Sequence, residues 1–87
     1  MELKNALELV SEIILKIETK EDLCDLIKDL FTPDEIIDVG ARIQILRYLK
    51  KGLTQREISE KLRISLTTVS RGSRLYTYEK KIIHKLL

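Results

Sequence analysis

The chain has 87 residues, of which 16 are Lys or Arg and 14 are Asp or Glu, so its formal net charge is +2. Hydrophobic residues make up 44% and charged residues 34%, which excludes a disordered chain and favours one small globular domain. A chain of this length buries a small core, and we expect oligomerisation to complete it.

The first predicted element is an amphipathic helix. Its apolar residues recur in alternating steps of four and three, at Leu3, Leu7, Val10, Ile14 and Ile17. This spacing is typical of helices that pack along one another. A second, shorter helix is predicted over residues 20–31, with Glu21 and Asp22 in its first turn.

A third helix is predicted from Pro33 to about Lys51, ending at Gly52. Thr32 supplies an N-terminal cap and Pro33 occupies the first helical position. The helix is apolar on more than one face, through Ile36, Ile37, Val39, Ala41, Ile43, Ile45, Leu46 and Leu49. The other predicted elements are too few to cover this surface, which favours burial by a second subunit.

Residues 53–73 predict a helix-turn-helix. Thr54, followed three residues later by Glu57, forms a capping-box signal for the first helix of the pair. Residues 63–65 are enough for a sharp turn only, and Ser65 is positioned to cap the second helix. We expect four apolar side chains to pack the two helices together: Ile58, Leu62, Leu66 and Val69.

The outward positions of the second helix carry hydroxyl and guanidinium groups, at Thr67, Thr68, Ser70, Arg71 and Arg74. Such groups bind phosphates and base edges in a DNA groove. Residues 1–50 carry seven Lys or Arg against eleven Asp or Glu, a net charge of −4, whereas residues 51–87 carry nine against three, a net charge of +6. This asymmetry favours DNA binding by the second half over the alternative of a plain helical hairpin with a solvated face.

A last amphipathic helix is predicted over residues 76–87. Tyr76 and Tyr78 are interpreted as aromatics at the edge of the core, and a place in a pocket wall is the alternative. The sequence thus predicts an all-α fold of six helices in one domain. Residues 1–52 would form a dimerisation core, residues 53–74 the helix-turn-helix and residues 76–87 the C-terminal helix.

The sequence offers no support for enzyme chemistry or a metal site. Cys24 is the single cysteine, and its apolar neighbours favour a buried thiol. His84 is the single histidine and has no nucleophile to pair with on sequence grounds. No apolar run approaches the roughly 20 residues of a membrane span, and the N-terminus is unlike a signal peptide, so we expect a cytoplasmic protein without a membrane partner.

Four motifs in order carry a family resemblance: LFTPDE at 30–35, GARIQIL at 40–46, LKKGLTQREISEKL at 49–62 and TTVSRGS at 67–73. Together they resemble the bacterial tryptophan repressor family over about residues 30–76. The resemblance implies an intertwined, all-helical homodimer that binds double-stranded operator DNA. It also implies L-tryptophan as corepressor, with no other cofactor.

Carried over by position, the resemblance assigns DNA contacts and a ligand pocket. The DNA-facing residues would be Gln55, Arg56, Ser59, Leu66, Thr67, Ser70 and Arg74, beside the Thr68 and Arg71 already proposed from the outward face. The ligand pocket would comprise Phe31, Thr32, Arg42, Arg71 and Gly72, with Ile45 and Leu46 as its floor. Two guanidinium planes can sandwich an indole ring, and Gly72 is expected to leave space for the ligand.

The chain departs from the family pattern at two residues of this region. Leu75 stands where the family has a serine that touches the ligand, which favours weaker tryptophan binding or another ligand, such as one that lacks the amino group. Arg63 stands where the family favours glycine in the turn, and a left-handed arginine costs on the order of 1 kcal/mol. The loop before Thr54 is also one residue shorter.

Three functions are therefore open on sequence grounds. The first is a DNA-binding repressor that requires an amino-acid corepressor, with L-tryptophan favoured. The second is a DNA-binding regulator that is independent of ligand or answers to a different signal. The third is a helical interaction module whose basic half docks an acidic protein.

Overall fold

The computed structural model describes residues 1–77 and 82–87, and in these residues it contains six α-helices and no strand. They are α1 (Leu3–Ile14), α2 (Lys20–Leu30), α3 (Pro33–Lys50), α4 (Gln55–Leu62), α5 (Leu66–Thr77) and α6 (Ile83–Leu86). The predicted all-α fold class is confirmed. No helix in the described part of the chain is long and apolar enough to cross a membrane.

The chain forms two compact units, Met1–Ile36 and Ile37–Leu87. In the first unit, the Thr19 hydroxyl accepts a hydrogen bond from the Asp22 backbone N–H at the start of α2. The start of α3 is capped reciprocally, since Thr32 Oγ1 accepts from the Glu35 N–H and Glu35 Oε1 accepts from the Thr32 N–H. The predicted threonine cap is thus confirmed.

The apolar seam of α1 is exposed in the single chain. Leu3 is 76% exposed and Leu7 is 59% exposed, and α1 and α2 contain no buried residue. The expectation that Cys24 is buried is wrong for this chain, because α2 presents its thiol at the surface.

The core of the second unit lies where fully buried side chains of α3, α4 and α5 meet. These are Ile45, Ile58 and Val69, and Tyr48, Leu49, Leu53, Leu62 and Ile64 pack against them. The expectation that Leu66 belongs to this core is wrong, because its side chain is 46% exposed. Ile64, in the turn before it, packs against the core instead.

The helix-turn-helix has the predicted caps and the predicted turn. Thr54 and Glu57 form a complete capping box, and the Ser65 hydroxyl accepts a hydrogen bond from the Thr68 N–H. Arg63 lies in the left-handed region with φ 56°, as its position in place of glycine predicted. Ser59 Oγ donates to the Ile64 carbonyl at 2.6 Å, so this side chain helps to hold the turn.

The C-terminal region differs from the predicted single helix over residues 76–87. α5 continues to Thr77, so Tyr76 belongs to the second helix of the motif, and α6 covers only Ile83–Leu86. The Tyr76 ring lies 5.3 Å from the ring of His84, centroid to centroid. Tyr78 lies outside the described residues.

We expect the starts of α3 and α4 to lose stability in acid. The backbone N–H groups of Thr32 and Thr54 donate to Glu35 and Glu57 and lower the pKa of each carboxyl from its usual 4.5. Because the folded-state pKa values are lowered, the stabilisation is complete above 4.5 and is lost as pH falls through the lowered values.

Urea denaturation between about pH 6 and about pH 3 tests this expectation. A variant with Glu35→Gln and Glu57→Gln should have a smaller pH dependence of its free energy of unfolding than the wild type. Glu60→Gln, which removes an exposed carboxylate of α4 away from the cap, is the control and should behave as the wild type. An unchanged pH dependence in the double variant would contradict the role of the caps.

Candidate nucleic-acid interface and ligand pocket

The α4–turn–α5 segment places the predicted DNA-facing side chains at the surface. Ser59 is half-buried, whereas the others are exposed: Gln55, Arg56, Leu66, Thr67, Thr68, Ser70, Arg71 and Arg74. Two arginines and three hydroxyl side chains thus project from α5, while Val69 of the same helix is fully buried. A helix with one buried and one polar face is suited to lie in a DNA groove.

Gln55 links the two helices of the motif through both ends of its amide. Ser70 Oγ donates to Gln55 Oε1 at 2.7 Å, and Gln55 Nε2 donates to Ser73 Oγ at 3.1 Å. Ser73 Oγ in turn donates to the Ser70 carbonyl at 2.8 Å. Two of the residues assigned to DNA therefore also fix α4 against α5.

Ser73 is a residue that sequence reasoning missed. It is 6% exposed and sits beside Gly72 on the inner side of α5. Its position four residues after the buried Val69 was the available signal, since residues four apart share a helix face. A small hydroxyl side chain at such a position predicts a hydrogen bond within the protein.

A cavity of about 470 Å³ lies between α3 and α5 in the second unit. Its lining consists of Asp38, Ala41, Arg42 and Ile45 from α3, and Thr68, Arg71 and Gly72 from α5. The structure thus brings together four residues assigned to the ligand: Arg42, Ile45, Arg71 and Gly72. Ligand-binding cavities have volumes of roughly 300–1,000 Å³.

Of the other residues predicted to bind the ligand, Leu46, Phe31 and Thr32 are not in the cavity lining. Leu46 is 1% exposed and lies in the interior, outside the cavity lining. Phe31 and Thr32 lie in the first unit, at the junction of α2 and α3. Leu75 is part of α5, but its side chain lies outside the described residues.

Gly72 allows α5 to pack closely on α3. A Cβ atom at this position would stand 3.0 Å from Ile45 Cδ1 and 3.4 Å from Ile45 Cγ2. The expectation that Gly72 leaves free space is therefore wrong on that side, because Ile45 already fills it. The close approach instead sets the distance between the two helices that line the cavity.

Sequence reasoning did not assign Asp38, Ala41 and Thr68 to the pocket. Asp38 precedes Arg42 by one helical turn, so the two side chains share a face of α3. Thr68 precedes Arg71 by three residues on α5, and its hydroxyl lies 2.8 Å from Ser65 Oγ. In the described part of the chain, neither arginine forms an ion pair with Asp38, so both remain available to a ligand.

Two lysines, one just before the motif and one within α4, add positive charge to this region. The ammonium groups of Lys51 and Lys61 lie 5.9 Å and 5.7 Å from the centroid of the Tyr48 ring. Such placement over an aromatic face stabilises a cation by about 0.5–1 kcal/mol at exposed sites. Within residues 1–77 and 82–87, no group of three or more His, Cys, Asp or Glu is arranged to hold a metal ion.

Comparison with known proteins gives a consistent result. The sequence model of the family described as Trp repressor protein matches residues 5–87. The Trp operon repressor homolog of Vibrio campbellii is 49% identical over 45 residues, which are 51% of this chain and 45% of that protein. The homolog of Mannheimia succiniciproducens is 44% identical over 52 residues, which are 59% of this chain and 52% of that protein.

These alignments span about half the length of the curated relatives. Among solved structures, a TrpR-like protein from Eubacterium eligens superposes with a TM-score of 0.85 at 26% sequence identity. That match covers 94% of this chain and 84% of the other chain.

Proposed function

Because the chain belongs to the Trp repressor protein family, we propose that it is a sequence-specific DNA-binding transcriptional repressor that uses L-tryptophan as its corepressor. The observation that carries this proposal is the outer face of α5, where Thr67, Ser70 and Arg74 are exposed on a helix that Val69 anchors in the core. A regulator of this kind performs no catalysis.

DNA binding is supported by the charge and chemistry of the motif. Residues 51–87 carry a net charge of +6, with nine Lys or Arg against three Asp or Glu. Lys61 and Arg56 supply charge for phosphates, whereas Thr67 and Arg74 have groups that distinguish base edges.

Control of DNA binding by a ligand is supported by a residue that the cavity and the DNA-facing surface of α5 share. Arg71 lines the cavity and is also exposed on the helix that we assign to the DNA groove. A ligand between Arg42 and Arg71 would hold α5 against α3. It would strengthen DNA binding to the extent that it prefers the orientation of α5 that DNA requires.

A homodimer is supported by the apolar surface of the first unit. Leu3, Leu7 and Val10, which share one face of α1, are 76%, 59% and 38% exposed. Exposed apolar patches of this kind mark interfaces in stable proteins. A two-fold dimer would present two α5 helices to a palindromic operator.

A second candidate is a DNA-binding regulator that does not require L-tryptophan. Leu75 favours it, because a leucine provides no acceptor for an ammonium group. Under this alternative the protein would bind its operator equally well with and without the amino acid.

Selection from a pool of random duplexes in the presence of L-tryptophan tests the proposal. We expect enrichment of a palindromic sequence and an affinity that falls steeply with salt concentration, because phosphate contacts release counterions. No enrichment, together with no salt-dependent affinity for any duplex, would contradict DNA binding and favour an interaction module with a protein partner.

We expect Thr67→Ala and Lys61→Ala to weaken DNA binding in different ways. Thr67→Ala should change the sequence preference at one position of each half-site, because its hydroxyl and methyl groups would meet base edges. Lys61→Ala should weaken binding to all sequences alike and reduce the salt slope by about 1. Affinities for the enriched duplex and for single-base variants of it, measured at several salt concentrations, distinguish the two. Equal losses on every sequence from both changes would count against base readout by Thr67.

A further inference from the structure

The cavity between α3 and α5 contains a carboxylate as well as two guanidinium groups. Asp38 and Arg42 stand on successive turns of α3, and Arg71 lines the cavity from α5. Of the seven described residues in the lining, Asp38 alone is negatively charged. The cavity therefore presents both charge signs to one small molecule.

The remaining lining residues make Asp38 the natural partner of a cation. Ala41, Ile45 and Gly72 offer no polar side-chain group, and the arginines are donors only. The Thr68 hydroxyl is hydrogen-bonded to that of Ser65 at 2.8 Å. A positively charged group in the cavity thus has one charged acceptor among these side chains.

We propose that Asp38 receives the ammonium group of the corepressor while the arginines receive its carboxylate and aromatic ring. The proposal rests on the ligand-dependent repressor described above and deepens it. The pocket then selects an α-amino acid over the same molecule without its amino group. Asp38 supplies the acceptor that the leucine at position 75 does not.

The charges of the two kinds of ligand explain why the pocket should bind an amino acid measurably more tightly than the corresponding simple acid. An amino acid is a zwitterion, so its ammonium and carboxylate groups can pair with Asp38 and an arginine at once. A simple carboxylic acid pairs only with an arginine and places a second negative charge beside Asp38. Repulsion from Asp38, and the lack of a cation to pair with it, both weaken the binding of the simple acid.

Calorimetric titration of the full chain with L-tryptophan and with indole-3-propionate tests the proposal. The two probes differ only in that hydrogen replaces the ammonium group. We expect the wild type to bind L-tryptophan at least about 10-fold more tightly, and Asp38→Asn to reduce this preference to about 3-fold or less. Asp25→Asn, which removes an exposed carboxylate of α2, should retain the full preference.

The outcomes separate this inference from the proposed function. Indole-3-propionate bound as tightly as L-tryptophan by the wild type, or a preference unchanged in Asp38→Asn, would overturn the role of Asp38 and leave a ligand-gated repressor standing. Binding of neither probe would overturn both the role of Asp38 and the tryptophan corepressor, while the duplex selection would still report DNA binding. Retained affinity of Asp38→Asn for indole-3-propionate shows that the variant is folded.

Discussion

Replacing Arg71 by alanine should impair ligand binding and DNA binding together. Arg71 lines the cavity opposite Arg42 and is exposed on α5 among the residues that we assign to DNA. A hydrogen bond to a charged group contributes about 1.5–3 kcal/mol. We therefore expect Arg71→Ala to weaken operator binding by roughly 10- to 100-fold, and to weaken L-tryptophan binding by a similar factor.

Arg47→Ala is the matched control for Arg71→Ala. It removes the same charge from an exposed position of α3 that is not part of the cavity lining. Calorimetry with L-tryptophan and fluorescence anisotropy with the enriched duplex should give nearly wild-type values for this control. If Arg71→Ala lowers DNA affinity without changing ligand affinity, the two functions do not share this side chain.

Of the substitutions proposed here, Ile58→Ala should cause the largest decrease in the free energy of unfolding. Its side chain is fully buried between the residues that α3 and α5 contribute to the core. Ile→Ala changes in cores cost about 2–5 kcal/mol, because apolar contacts are lost and a cavity is left. In a core with so few fully buried side chains, we expect Ile58→Ala to unfold much of the second unit.

Leu66→Ala tests whether the loss at Ile58 comes from burial. It removes the same number of carbon atoms from a side chain that is 46% exposed. We expect it to change the free energy of unfolding by less than about 1 kcal/mol, while it still affects DNA binding. Equal losses of stability in the two variants, measured by urea denaturation, would mean that Leu66 is also a core residue.

Local signals in the sequence predicted the helix-turn-helix closely. Capping at Thr54 and Ser65 and the turn at residues 63–65 depend on neighbours within three or four positions, so the sequence alone is enough to recognise them. The left-handed Arg63 was expected from the family resemblance, since the family favours glycine at this position of the turn. Such features are local, and tertiary packing does not override them.

Tertiary contacts could not be predicted in the same way. The periodicity that placed Val69 in the core also placed Leu66 there. It could not reveal that Ile64 of the turn packs against this core instead. Similarly, the spacing between Gly72 and Ile45 depends on how closely α5 approaches α3, which no local pattern encodes. The Gln55–Ser70–Ser73 hydrogen bonds also join residues 15 to 18 positions apart.

Recognising the candidate pocket required both the sequence and the tertiary structure. The family resemblance supplied Arg42, Arg71 and Gly72, which the structure brings to one cavity. Asp38 was not assigned to the pocket, because a carboxylate on a helix is usually part of a solvated face. Only its position one turn before Arg42, facing α5, gives it a role with a ligand.

The most direct test of the account is anisotropy titration of the enriched duplex with and without L-tryptophan. We predict that the amino acid strengthens operator binding by at least about 10-fold, because it holds α5 in the orientation that DNA requires. A shuffled duplex of the same composition should gain little from the ligand. Equal affinity for the operator with and without L-tryptophan would contradict a tryptophan-dependent repressor.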